Sequence, residues 1–370
     1  MNKERTSTVK FKMLLHLPHV MRYVVIALMV LAIAGGAVLG LRGCSRRGNT
    51  VADGGVEIRG AGAEAKYYAM KDAFIAFDGS YARAYDKKKG DLLWECTPDG
   101  SQGFKCAVSS DMMALFKEGM LYVYDKTGRV SFSTSSEEGI VDVKVGVSRA
   151  AIRYKDDSIQ IIDSTGKQVE RIAGDQGQVL DFGLYSSSDL MWVLMLDAEG
   201  IEPKCTLNIY QPGKLLIAGY STTEQLYYQP IMHGSTVCIV GTQTVDMRNT
   251  DDMSESSVLV YGWTLGDWYA GEELTLLMTL TEQGDEPTAL RIIRGQKMTD
   301  ARMHAGCTDL MLGENYVYGF AGSTIIGVPV TGGQTQSWSL PYAVSDVLCK
   351  LDGRYVLLGS EGKVYLVELP

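Results

Sequence analysis

The chain has few of the residues from which reactive centres are built. Its 370 residues include only four histidines, and no GxSxG or HExxH pattern accompanies His233 or His304, the two that lie beyond the N-terminal region. The seven cysteines (Cys44, Cys96, Cys106, Cys205, Cys238, Cys307 and Cys349) stand singly, without a CxxC pair. That excludes the usual zinc and thioredoxin-like spacings, and an odd, scattered set is a poor disulfide framework. Runs such as Val237-Cys238-Ile239-Val240 instead read as packed strand, with the thiol serving as a small hydrophobe. Nine prolines and no low-complexity tract argue against a flexible stalk. Past the first 41 residues no stretch sustains helical periodicity, which excludes a helical bundle.

Positive charge is scarce over most of the chain. Residues 1–47 carry eight basic side chains (Lys3, Arg5, Lys10, Lys12, Arg22, Arg42, Arg46 and Arg47) against Glu4, a balance of +7. With −9 for the whole chain, the remainder stands at −16. So acidic a body repels phosphate backbones, and a nucleic-acid partner is not expected. The basic cluster instead flanks one apolar run, Tyr23–Leu41, free of charge and proline. As a helix this run would be about 28 Å long, close to the hydrocarbon thickness of a bilayer. Five Lys/Arg precede it and three follow, a modest bias for a cytoplasmic N-terminus. The expected organisation is a basic cytoplasmic tail (1–22), a transmembrane signal anchor (23–41), a linker (42–55) and an extracytoplasmic domain (56–370). Two processing alternatives stay open: cleavage after Ala32-Ile33-Ala34, and lipidation at Cys44 within Leu41-Arg42-Gly43-Cys44, where Arg42 departs from the usual small residue.

What the chain does have is a repeated hairpin. Tyr85-Asp86-Lys87-Lys88-Lys89-Gly90, Tyr124-Asp125-Lys126-Thr127-Gly128 and Ile162-Asp163-Ser164-Thr165-Gly166 share one form, with weaker copies at Tyr210-Gln211-Pro212-Gly213 and Val330-Thr331-Gly332-Gly333. Asp opens a type I turn and Gly takes the left-handed position after it. Before each strong copy, apolar residues alternate with variable ones (Ala82/Ala84, Leu121/Val123, Ile159/Ile161), the period-two mark of a half-buried strand. A further strand precedes each, and an aromatic follows some turns: Trp94, Phe132 and Trp338. Counting the second strand of each unit gives starts near 74, 112, 149, 190, 235, 272, 314 and 354. This predicts an all-β fold, a β-propeller of eight four-stranded antiparallel blades. The eroded stretch 240–300 leaves a seven-bladed reading open. The last unit ends one strand short, and Val56–Arg59 is expected to supply the missing strand and close the ring.

Gly119-Met120-Leu121-Tyr122-Val123-Tyr124-Asp125-Lys126-Thr127-Gly128 resembles the PQQ-type, quinoprotein-like propeller repeat. One anchor followed by one propeller is similar to a family of membrane-anchored, PQQ-like propeller proteins of Gram-positive bacteria, and in outline to the propeller lipoprotein that scaffolds outer-membrane protein assembly. A quinone enzyme of this class would imply a vicinal Cys-Cys and a calcium site of Glu, Asn and Asp. The chain has no adjacent cysteines and no series of Gly-Trp pairs beyond Gly262-Trp263, so no cofactor residue is carried over.

No catalytic, cofactor-binding or metal-binding residue is therefore assigned, and no cofactor is expected. The turn aspartates lack a calcium-loop ladder and read as turn caps. Trp263, Trp268 and Tyr269 read either as aromatics wedged between blades or as an exposed platform for glycan or peptide. The acidic stretch 246–257 reads as a surface loop without strand character. The expected function is a non-enzymatic binding or scaffold protein of the cell envelope, its partner another envelope protein or a peptide. The alternatives are a cell-wall glycan sensor and, further off, a propeller hydrolase or lyase.

Overall fold

A computed structural model describes residues 50–51, 54–98, 102–174, 177–185, 188, 190–199, 202–214, 216–280, 289–304 and 306–370. The chain divides into two compact units, 1–50 and 51–370. The expected anchor at 23–41, the linker as far as residue 49 and Cys44 lie outside the described residues. Among the described residues no helix is long and apolar enough to cross a membrane.

The second unit is an eight-bladed β-propeller. Blade 1 is an antiparallel meander of Lys66–Ala69, Ala73–Phe77, Ala82–Asp86 and Leu92–Cys96. Blades 2 to 7 repeat the order, opening at Lys105, Ile140, Gln178, Tyr227, Thr264 and Thr308, and one short added strand lies at the edge of blade 7. Blade 8 takes three strands from the C-terminus (Asp346–Lys350, Tyr355–Ser360 and Lys363–Glu368), and its fourth, Val56–Glu57, comes from the start of the unit. Val56 pairs with Leu366 and Glu57 with Tyr365, so the ring closes by the expected splice. The second strands begin within two residues of the expected positions, and eight blades are present rather than seven.

Burial explains the order of strands within a blade. The second strands are buried on both faces: Ala73–Phe77 is buried throughout, as are the first five residues of Met112–Lys117, Met191–Asp197 and Leu274–Leu280. Each is covered by a neighbouring blade on either side. One apolar cluster joins Phe116 and Val123 of blade 2 to Val143 and Ile152 of blade 3. Another joins Phe74 and Tyr85 of blade 1 to Leu357 and Leu366 of blade 8, and seals the ring. Each such buried side chain contributes about 1.5–3 kcal/mol.

The repeated turn adds a second bond between blades. Asp125 Oδ1 accepts from the Thr127 N–H at 2.8 Å, and Asp163 Oδ1 from the Thr165 N–H at 2.9 Å. Gly128 then adopts φ +77° and lies against the indole of Trp94 in the preceding blade, so close that a Cβ there would come within 2.6 Å of the ring. Trp94 Nε1 also donates to the Lys126 carbonyl at 3.0 Å. The same contact recurs between Phe132 and Gly166, and between Ile58, just after the closing strand, and Gly90 of blade 1. The aromatic after one turn is thus a latch onto the next turn. Trp338 differs: it packs against Tyr316 within its own blade.

One expectation is corrected. The stretch 246–257 is not a strandless loop: Thr244–Asn249 and Glu255–Leu259 form the outer hairpin of blade 5. Only Val245 and Val258 of this pair are buried, so a rim hairpin with polar partners carried too little apolar alternation to be read as strand.

Two predictions follow from turn and core. Backbone N–H groups at Lys89 and Lys88 hold the Asp86 carboxyl below the usual carboxylate range, and the Thr165 hydroxyl and N–H do the same for Asp163. Groups lowered on folding stabilise the fold above the unfolded value near 3.9 and lose that contribution as pH falls through the folded value. The double variant Asp86→Asn/Asp163→Asn should therefore show a flatter dependence of melting temperature on pH below about 4 than the parent. Secondly, the Tyr185 hydroxyl is buried between blades 4 and 5 without a hydrogen-bond partner among the described residues. Tyr185→Phe should leave stability unchanged or raise it by up to about 1 kcal/mol in urea unfolding, whereas a hidden partner would make it destabilising.

Candidate functional site

The first strand of each blade faces the propeller axis, and six of the eight are irregular there. Register breaks fall between Ile140 and Asp142, Val179 and Asp181, Tyr227 and Gln229, Leu265 and Asp267, Thr308 and Met311, and Val347 and Cys349. A bulge bends its strand and re-aims the side chain that follows. In three blades that side chain is an aspartate whose Oδ1 accepts from the next N–H: Val143 at 2.9 Å, Phe182 at 2.8 Å and Trp268 at 2.8 Å. Sequence reasoning missed these residues. Their signal was present as Val141-Asp142-Val143, Leu180-Asp181-Phe182 and Gly266-Asp267-Trp268, one per blade, each a lone carboxylate inside an apolar strand.

A cavity of about 530 Å³ opens at the centre, lined from blades 1 to 6 by Tyr68, Cys106, Asp142, Lys144, Asp181, Gln229 and Trp268 among others. A second recess of about 380 Å³ shares Tyr68, Cys106 and Asp142 and adds Glu64, Lys66 and Lys105. Lys144 Nζ lies 3.4 Å from Asp142 and 3.8 Å from Asp181. Burial, with Cys106 and Cys349 nearby, pushes the Tyr68 phenol up to about 12. Burial also pushes the Cys106 thiol up, which favours its neutral form.

The third aspartate does something else. Asp267 Oδ2 accepts from Lys350 Nζ of blade 8 at 2.6 Å and from the Leu312 N–H of blade 7 at 2.7 Å. Lys350 also donates to the Trp268 carbonyl at 2.8 Å. Burial lowers the Lys350 ammonium from the ordinary lysine value, and the Asp267 charge opposes that shift. One carboxylate thus ties three blades together.

The other singled-out residues do not converge. Trp263 lies under the Arg291 guanidinium at 4.4 Å, Trp268 lines the cavity, and Tyr269 borders a separate recess with Glu272, Glu273 and Glu314. They form no common platform. His233 Nε2 lies 3.3 Å from the Glu272 carbonyl, and His304 is exposed elsewhere. Cys205 and Cys238 are buried and the other four described cysteines half-buried; all six are unpaired thiols. No group of three or more His, Cys, Asp or Glu among the described residues is placed to hold a metal ion. Between blades 4 and 5, a hydroxyl-rich cleft of about 540 Å³ surrounds Asp246. That carboxylate accepts from Ser257 at 2.7 Å, Thr244 at 3.0 Å and Tyr227 at 3.2 Å, so most of its capacity is spent within the fold.

The chain is an eight-bladed propeller of four-stranded blades around a charged, aromatic-lined centre. No model of a known protein family matches it, and no curated protein does. Solved structures do. The WD40 domain of SCAP from fission yeast is similar at 9% identity with a TM-score of 0.59, over 85% of this chain and 97% of that one. Sqt1 from Saccharomyces cerevisiae is similar at 10% identity with a TM-score of 0.56, over 87% and 100%. BamB from Moraxella catarrhalis is similar at 10% identity with a TM-score of 0.54, over 86% and 99%. At these identities the likeness is one of fold.

The two ion clusters differ in a measurable way. Asp267→Ala strands the half-buried Lys350 and the Leu312 N–H, and should cost about 2–4 kcal/mol in urea unfolding. Asp142→Ala, in the more open cluster, should stay within about 1 kcal/mol of the parent.

Proposed function

We propose that this chain is a membrane-anchored, extracytoplasmic binding or scaffold protein of the cell envelope, without catalytic chemistry of its own. The observation that carries the reading is the centre of the ring: a recess that offers charge and aromatic surface, where burial favours the neutral thiol of Cys106 and the carboxylates lie beside lysine. Such a surface is made to hold a partner rather than to transform one. The anchor and its orientation rest on the Tyr23–Leu41 run and the basic residues around it. The Asp-turn repeat and the latch of Trp94 on Gly128 favour a PQQ-like propeller that has kept the scaffold and lost the cofactor residues. The partner is another envelope protein or a peptide. A glycan is the second reading, favoured by the hydroxyl-rich cleft around Asp246.

The test is made on the full-length chain in its membrane. A C-terminal tag should be cut by external protease on cells stripped of outer barriers, and full protection would overturn the orientation. Crosslinking followed by affinity capture should recover one saturable envelope protein. Retention on purified cell wall, lost in Lys204→Ala at the exposed rim of the Asp246 cleft, would transfer the assignment to the glycan reading.

A further inference from the structure

Charge in the central cavity does not balance. Asp142 and Asp181 share a single ammonium, Lys144, at distances longer than direct hydrogen bonds. Their side chains are 34% and 46% exposed, so both carboxylates still meet open space. The Asp267–Lys350 pair is the contrast: its side chains are 16% and 24% exposed, and Asp267 accepts from Lys350, Leu312 and Trp268. One cluster is closed by the fold; the other sets two carboxylates against one lysine on the cavity wall, with Lys66 and Lys105 beside Glu64 and Asp78 in the adjoining recess.

Aromatic surface lies on the walls of the same cavity. Trp268, 40% exposed overall, and the half-buried Tyr68 line it, while Phe182 behind them is buried and supports the wall rather than forming its surface. Aromatic faces attract cations through the ring quadrupole, with tryptophan the strongest. Lys144 already sits 5.9 Å from the Phe182 centroid. Carboxylates and ring faces select for the same thing, a cation on an apolar stem.

We propose that the central cavity binds an organic cation, a guanidinium or primary ammonium on an apolar stem, held by Asp142 and Asp181 with Trp268 as its aromatic wall. This rests on the binding reading above and names the chemistry of its site. At about 530 Å³ the cavity takes one such group with a short stretch of its stem, and a macromolecule would enter only by a side chain or a narrow loop. The charge of −16 on the chain beyond residue 47 steers cations toward it at low salt. Two sources share this chemistry: an arginine or lysine of a partner protein, and a free amine.

The experiment titrates the full-length chain in detergent, followed by tryptophan fluorescence and calorimetry, with three probes. These are arginine amide, a blocked pentapeptide with central arginine, and the same peptide with citrulline. Saturable binding of either arginine probe, weakened by salt and at least about tenfold tighter than citrulline, is the expected result. The arginine peptide alone would point to a partner side chain, and arginine amide binding equally well to a free amine. Asp142→Asn/Asp181→Asn should weaken binding roughly tenfold, while Glu137→Gln on an exposed turn should leave it unchanged. If the double variant misfolds by circular dichroism, Asp181→Asn and Trp268→Ala serve singly, each expected to lose roughly fivefold. No binding by either arginine probe, equal binding of citrulline, or full affinity in folded variants would overturn the proposal. A partner captured from membranes by the parent and by the double variant alike, with neither arginine probe bound by the parent, would sink the cation site and leave the scaffold reading standing.

Discussion

A strand that is apolar on both faces has to be covered twice. The second strand of every blade carries this demand, as Ala73–Phe77 and Met112–Lys117 show, and an open stack of sheets would leave its two end members half bare. A ring removes the ends. The closing strand Val56–Glu57 is therefore small in length and large in consequence, since it completes the blade that covers Phe74 and Tyr85 of blade 1. The turns serve the same demand from the outside, where Trp94 and Phe132 each reach the glycine of the next blade.

Closure also creates the centre. Eight first strands are brought around one axis, and six of them bulge. The bulge places Asp142, Asp181 and Asp267 near the axis, where each bonds the backbone beside it. From that shared beginning they diverge. Asp267 is absorbed into a strut across blades 6, 7 and 8, while Asp142 and Asp181 remain open to a cavity. The same local device thus yields both structure and a surface for binding.

Architecture was legible in the sequence because it is written in local chemistry. Asp86, Asp125 and Asp163 mark turns, their glycines mark left-handed positions, and period-two alternation marks the strands between. The outer hairpin of blade 5 escaped because rim strands need few apolar residues. The centre escaped for a different reason. Asp142, Lys144, Asp181 and Trp268 are drawn from three separate blades, and nothing in the spacing of one residue reveals which others converge on it. Trp268 was noticed, but beside Trp263 and Tyr269, its neighbours in sequence rather than in space.

The splice in blade 8 sets the timing of assembly. Val56 pairs with Leu366, so the first strand of the ring waits for its partner until all the other blades have been made. Until then the apolar flanks of blades 1 and 8 have no lasting cover, and the domain has no finished intermediate to rest in. Long-range pairing of this kind folds slowly and exposes sheet edges while it does so. A chain that stops before Lys363–Glu368 would give not a slightly shorter wheel but an unsealed one.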